Sequence, residues 1–128
     1  IIALALNRKL TIYGDGKQVR DVLYISDLIR AYDLAINNVS KTAGQIYNIG
    51  GGVENSISVW YEFRPILEGL FNRKITVNFS DWRPGDQKIF ISDVSKAKKD
   101  FGWEPKISPE VGIKKLYNWV NDNKRLFQ

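Results

Sequence analysis

"VRDVLYISDLIRAYDLAINN", Val19 to Asn38, changes its periodicity in the middle. Its first seven residues, Val19 to Ile25, are rich in β-branched and aromatic types, which predicts a strand. After them Ser26 suits an N-cap and Asp27 the positive end of a helix dipole. Leu28, Ala31, Tyr32, Ala35 and Ile36 then recur at helical spacing, which predicts a helix. A strand running directly into an amphipathic helix is the building unit of α/β architecture.

The alternation continues on both sides. "LTIYG", Leu10 to Gly14, predicts a short strand stopped by the turn residues "GDG". "GQIYNIGGG", Gly44 to Gly52, predicts another strand that ends in three glycines, a geometry in which backbone can approach a ligand or simply turn the chain. Ser56 and Ser58 are possible caps for a helix running through Phe71, which Pro65 should kink or split. Lys74 to Ser80 alternates as a strand. "SDVSKAKKDFG" predicts a short helix capped by Ser92 or Asp93, with Val94, Ala97 and Phe101 facing inward and Gly102 at its C-terminal end. Ser108 as N-cap and Pro109 at the first helical position start a last helix, with Ile113, Leu116, Tyr117 and Val120 on one face. The strands are few and short, which fits a lobe attached to a larger sheet better than a free-standing doubly wound domain.

With 128 residues, 44% apolar and 26% charged, the chain has the composition and length of about one globular domain. No apolar run approaches the roughly 18 residues of a membrane span, and "IIALAL" is short of a signal peptide's apolar region, so a cytoplasmic protein with no membrane partner is expected. The chain has no methionine and opens at Ile1 inside an apolar segment, which suggests a piece of a longer protein. Cysteine and histidine are absent too, so disulfides, thiolate or imidazole metal sites and histidine bases are excluded within it. The net charge of +5 admits anionic partners. Its lysines and arginines are dispersed over segments that read as helix surfaces, not gathered into the dense stripe of a nucleic-acid footprint.

Two arginines stand out by context. Arg20 follows a glycine-rich turn and opens a strand, and Arg83 sits in "DWRPGDQK", Asp81 to Lys88, between a tryptophan and a Pro-Gly turn. A guanidinium matches a phosphate or carboxylate with two parallel hydrogen bonds, so two such forks suit a diphosphate. Structural ion pairs, Arg20 with Asp21 or Asp27 and Arg83 with Asp81 or Asp86, are the competing reading. Asp86 is equally suited to accept from ribose hydroxyls. Asn48 is placed to hold a base or sugar edge, or to cap its turn. The aromatic residues, among them Tyr13, Trp60, Tyr61, Trp82 and Trp103, read as core and interface. No carboxylate pair at catalytic spacing and no Tyr-x-x-x-Lys dyad is found, so no catalytic, cofactor-binding or metal residue is identified in this chain.

In order, "TIYGDGKQVRDVLYISDLIRAY", "GQIYNIGGG" and "DWRPGDQKIFISDVSKAKKDFGWEPKISPEVGIKKLYNWV" resemble the C-terminal part of extended short-chain dehydrogenase/reductases acting on nucleotide sugars. The octet, "SVWYEF" and the ending "LYNWVNDNKRLF" favour CDP-sugar 2-epimerases over UDP-galactose 4-epimerases and dTDP-glucose dehydratases. The resemblance implies an α/β substrate-binding lobe, a small mixed sheet plus helices with part of the sheet edge of a Rossmann-fold enzyme. It implies that residues 1–128 bind a CDP-sugar or related nucleotide sugar, while an N-terminal Rossmann domain outside the chain binds NAD and carries the catalytic groups. In the intact homo-oligomer the sugar's second carbon would be oxidised to a ketone and receive the hydride back on the opposite face. Residue by residue, Arg20 and Arg83 would hold the diphosphate, Asp86 the ribose, and Asn48 the nucleotide, with Thr11, Ile12 and Tyr13 along the base. A relative that binds nucleotide sugars without catalysis is the alternative. A lobe without its Rossmann partner should also expose an apolar face.

Overall fold

The protein is described by a computed structural model covering all residues, Ile1–Gln128. In chain order the elements are α1 (Ile2–Ala5), β1 (Thr11–Tyr13), β2 (Val19–Asp21), α2 (Ile25–Asn37), α3 (Val39–Thr42), β3 (Ser56–Ser58), α4 (Phe63–Phe71), β4 (Asn78–Ser80), β5 (Ile89–Phe90), α5 (Ser95–Phe101) and α6 (Pro109–Asp122). They are distributed over two units, each assembled from separated segments: Ile1–Val19, Ser58–Ile89 and Glu110–Gln128 in the first, Arg20–Ile57 and Phe90–Pro109 in the second. One sheet has the order β3-β2-β5.

The first unit is built on the parallel pair β1 and β4, with Thr11 opposite Asn78, Ile12 opposite Phe79 and Tyr13 opposite Ser80. Its core is Leu4, Trp60, Leu67 and Ile75, with Leu10, Ile12, Phe63, Phe71, Val77 and Ile113 packed around them. The predicted helix through Phe71 starts later than expected. Ser56–Ser58 are strand residues, and the Ser58 hydroxyl accepts the Glu62 amide at 2.8 Å while the Glu62 carboxylate accepts the Ser58 amide at 2.6 Å. This reciprocal exchange closes the turn between the strand and the N-cap position of α4, which Glu62 holds. Pro65 therefore falls in the first turn of α4, where its missing N–H has no intrahelical role, and the helix is not split there.

The second unit packs Ala31, Ala97, Phe101 and Trp103 with Leu23, Leu34, Tyr47 and Ile49. Its hub is Asp27, only 2% exposed. The Asp27 carboxylate accepts the backbone N–H of Lys106 at 2.9 Å and of Ile107 at 2.8 Å, and pairs with Arg30 at 2.9 Å. The Trp103 indole donates to the Asp27 carbonyl at 2.9 Å. Asp27 lies in the first turn of α2, as its favourable place in the helix dipole predicts, and also ties α2 to the segment before α6. Ser26, expected as N-cap, is inside the helix, which begins at Ile25 with no side-chain cap. The strand expected over Val19–Ile25 is correspondingly short, ending at Asp21. Tyr32 and Ile36, expected on the inner face of α2, are 63% and 70% exposed, in line with exposed Ile25 and Ile29. The predicted strand in Gly44–Gly52 is absent: Gln45–Ile49 pairs with no strand of this chain, and a strand exists only in a ladder. Val94, not Ser92 or Asp93, holds the N-cap position of α5; Asp93 accepts the Ser95 amide at 2.9 Å just ahead of it, and Gly102 ends the helix with φ +71°. Pro109 opens α6 as expected. No helix is long and apolar enough to cross a membrane.

Burial alone would raise the Asp27 carboxyl, but the Arg30 guanidinium and the Ile107 and Lys106 amides outweigh it and hold it below the usual carboxylate range. A depressed folded-state pKa contributes stability that is present above the unfolded value of about 3.9 and is lost as pH falls through the folded one. Asp27→Asn should therefore lower stability at neutral pH and flatten its decline below about pH 4. Urea unfolding at several pH values checks this, and an unchanged acid slope would contradict it.

Candidate functional site

In the first unit the turn after β1 and the octet after β4 are packed together by glycine. A Cβ built on Gly14 would stand 2.7 Å from both the Gln18 Nε2 and the Trp82 ring, and Gly14 has φ +76°. Only glycine accepts that conformation without strain and that approach without displacement. The Gly14 amide donates to the Ser80 carbonyl at 2.9 Å, extending the β1–β4 pairing. Trp82, 40% exposed, is thereby fixed against the turn instead of in the core.

Arg83–Pro84–Gly85–Asp86 is a tight turn: the Asp86 amide donates to the Arg83 carbonyl at 3.1 Å and Gly85 has φ +77°. Proline then glycine at the two central positions is the type II pattern. The turn sets a cation and a carboxylate at its two ends. The Arg83 guanidinium lies 3.8 Å from the centroid of the Tyr13 ring, within the range of a cation–π contact. It takes this place instead of pairing with Asp81 or Asp86, so the ion-pair reading of Arg83 does not hold. Buried Gln18 donates from Nε2 to the Tyr13 carbonyl at 2.6 Å and to the Asp86 carboxylate at 3.4 Å. Tyr13, Arg83 and Asp86 are thus brought together. Thr11 is exposed one residue pair back along the strand, and Ile12 points the other way into the core.

The second unit carries Arg20 and Asn48. Arg20 is half-buried in β2. Asp21 Oδ2 accepts the amides of Gly52 at 3.1 Å and Ser92 at 3.0 Å, and Asp27 pairs with Arg30. Asn48 is exposed between Tyr47 and Ile49, which pack inward, and it caps no turn. The three glycines serve the fold. A Cβ on Gly50 would stand 2.4 Å from Asp21 Oδ2, and one on Gly51 would stand 2.3 Å from the Val22 carbonyl oxygen.

A separate cavity of about 420 Å³ in the first unit is lined by Trp60, Tyr61, Arg64, Pro65, Thr76 and Phe79 among others. It offers one arginine and no carboxylate, so no acid–base pair faces it. No three acidic side chains are gathered as a metal site would require. Gln18 was not singled out in the sequence, and Trp82 was expected in core or interface. The available signal was the glycine at 14, whose need for space shows only once the octet is folded against it.

The family model described as GDP-mannose 4,6 dehydratase matches residues 1–116. The chain is 40% identical over 116 residues to CDP-paratose 2-epimerase of Salmonella typhi, covering 91% of this chain and 34% of that protein. It is 37% identical to UDP-glucuronate 4-epimerase of Thermodesulfobacterium geofontis, covering 94% of this chain and 36% of the relative. The crystal structure of UDP-glucuronic acid 4-epimerase from Bacillus cereus with UDP-glucuronic acid and NAD superposes with a TM-score of 0.85 at 32% identity, over 98% of this chain and 38% of that one. The chain therefore spans little more than a third of the length of these relatives. The mixed sheets and helices match this class of structure, as expected. The glycine turn offers NAD no cradle for a pyrophosphate: the Asp21 and Ser92 side chains and the Val22 backbone fill its inner side.

Gly51→Ala should cost roughly 1–3 kcal/mol through overpacking against Val22. A denaturant midpoint measures it, and an unchanged midpoint would mean that the glycine turn is not held against β2.

Proposed function

The chain belongs to the family of nucleotide-sugar epimerases and dehydratases described as GDP-mannose 4,6 dehydratase, and from that premise we propose that it is the nucleotide-sugar-binding C-terminal part of an NAD-dependent CDP-paratose 2-epimerase. The 40% identity to the Salmonella typhi protein supports the choice of epimerase. The observation that carries the binding role is the Arg83–Asp86 turn beside Tyr13. It offers a fork for a phosphate, a carboxylate for ribose hydroxyls and an aromatic ring for a base, all on adjoining strand ends.

In this reading Arg83 takes a diphosphate oxygen pair, Asp86 the ribose, and Tyr13 with Thr11 and the backbone of Ile12 the base. Arg20 as a second phosphate contact and Asn48 as a nucleotide contact rest on the residue-by-residue resemblance. The bond changes at the sugar belong to groups outside residues 1–128, as does NAD, with which several solved neighbours were crystallised. What these residues contribute is remote binding energy, which orients the sugar for reaction. The exposed α2 stripe of Ile25, Ile29, Tyr32 and Ile36 is proposed to pack on the Rossmann domain that makes up the rest of such relatives. A second reading, a 4,6-dehydratase, draws on the 34% identity to dTDP-glucose 4,6-dehydratase of Escherichia coli over the whole chain.

Product analysis with the natural protein expressed in full decides between them. Interconversion of CDP-paratose and CDP-tyvelose is expected, and turnover of dTDP-glucose or UDP-glucuronate in its place would overturn the proposal. In the same protein, Arg83→Ala removes charge-assisted bonds worth about 1.5–3 kcal/mol each. It should raise KM for the nucleotide sugar roughly 10–100-fold and leave bound NAD unchanged. An unaltered KM would remove Arg83 from the site.

A further inference from the structure

Gln18 is the one buried polar side chain of this cluster to which neither the fold nor the proposed binding role assigns a task. It is 3% exposed, and its Oε1 is buried without a hydrogen-bond partner. An unpaired buried acceptor costs stability, and an apolar side chain of equal length would fill the space without that cost. The amide cannot improve matters by turning over, because its oxygen would then face two acceptors, the Tyr13 carbonyl and the Asp86 carboxylate. The residue therefore keeps an orphan oxygen in order to present Nε2 to those two groups. Its surroundings hold it there. Gly14 leaves the room that Nε2 occupies, and the Gln18 carbonyl accepts the Val59 amide at 2.8 Å, pinning the main chain at its root.

We propose that Gln18 is a positioning residue for nucleotide recognition: its single amide nitrogen ties the Asp86 carboxylate to the backbone of Tyr13. One NH2 group spends one proton on the strand end and the other on the carboxylate. The distance between the group taken to hold ribose and the strand taken to run along the base is thereby fixed. The proposal rests on the reading of Asp86 given above, and it makes discrimination at the ribose depend on a residue that touches no ligand.

The test uses calorimetric titration of the full natural protein with CDP, 2′,3′-dideoxy-CDP and inorganic diphosphate. The wild type should bind CDP more tightly than the dideoxy compound. Gln18→Met should weaken CDP about 5–30-fold, while dideoxy-CDP and diphosphate change less than about twofold. Asp86→Asn should then add little to Gln18→Met, since both act through one contact. Gln18→Leu, which also lacks the donor and adds no charge, should reproduce the pattern and serves if the methionine variant does not fold. An equal loss for all three ligands, or no loss for CDP, would overturn the positioning role. A wild type that binds CDP and the dideoxy compound equally would overturn the reading of Asp86 and this proposal with it. A wild type with no affinity for CDP would overturn the functional reading itself.

Discussion

The absent side chain of Gly14 is the constraint on which the first unit's site depends. Two groups converge on the space a Cβ would fill, the Gln18 amide nitrogen and the Trp82 ring, each 2.7 Å from that point. The tryptophan anchors the octet after β4 to the turn after β1, and the amide links the two chemically. Proline and glycine then close the Arg83–Asp86 turn. Its cation and its carboxylate emerge from a fixed base, not from a flexible loop. Preorganisation of this kind removes ordering costs that binding would otherwise meet.

The second unit answers to a different centre. Asp27 gathers two backbone amides, a guanidinium and, through its carbonyl, an indole N–H. A buried charge is tolerable when both carboxylate oxygens are hydrogen-bonded and one faces a cation in this way. The three consecutive glycines of that unit are equally structural. They allow the turn to lie against β2, with the Gly52 amide on Asp21.

Much of this was legible in the sequence where local chemistry decides the outcome. Pro109 at a helix start, Gly102 at a helix end and the spacing of Ala97 and Phe101 in α5 all do in the structure what their positions predict. Legibility failed where a distant partner overrides a local preference. Asp27 reads as a first-turn residue favourable to the helix dipole, yet its carboxylate serves amides about eighty positions away. Pro65 reads as a helix breaker because the true start of α4 depends on the Ser58–Glu62 exchange. The run Gly44–Gly52 reads as a strand because its alternation is right, but strand formation needs a neighbour that residues 1–128 do not supply. At the site, the arginine and aspartate of the octet were visible from their residue types. Gln18 was not, because nothing about a lone glutamine shows that two acceptors will close on it.

The Tyr13–Arg83–Asp86 cluster is proposed as the seat of a nucleoside diphosphate. A crystal structure of the full natural protein grown with CDP tests it most directly. The predicted result has the diphosphate within hydrogen-bonding distance of the Arg83 guanidinium, the ribose hydroxyls on Asp86 and the base along Thr11–Tyr13. CDP seated in the cavity beside Trp60 and Phe79, with Arg83 still resting on the Tyr13 ring, would contradict it.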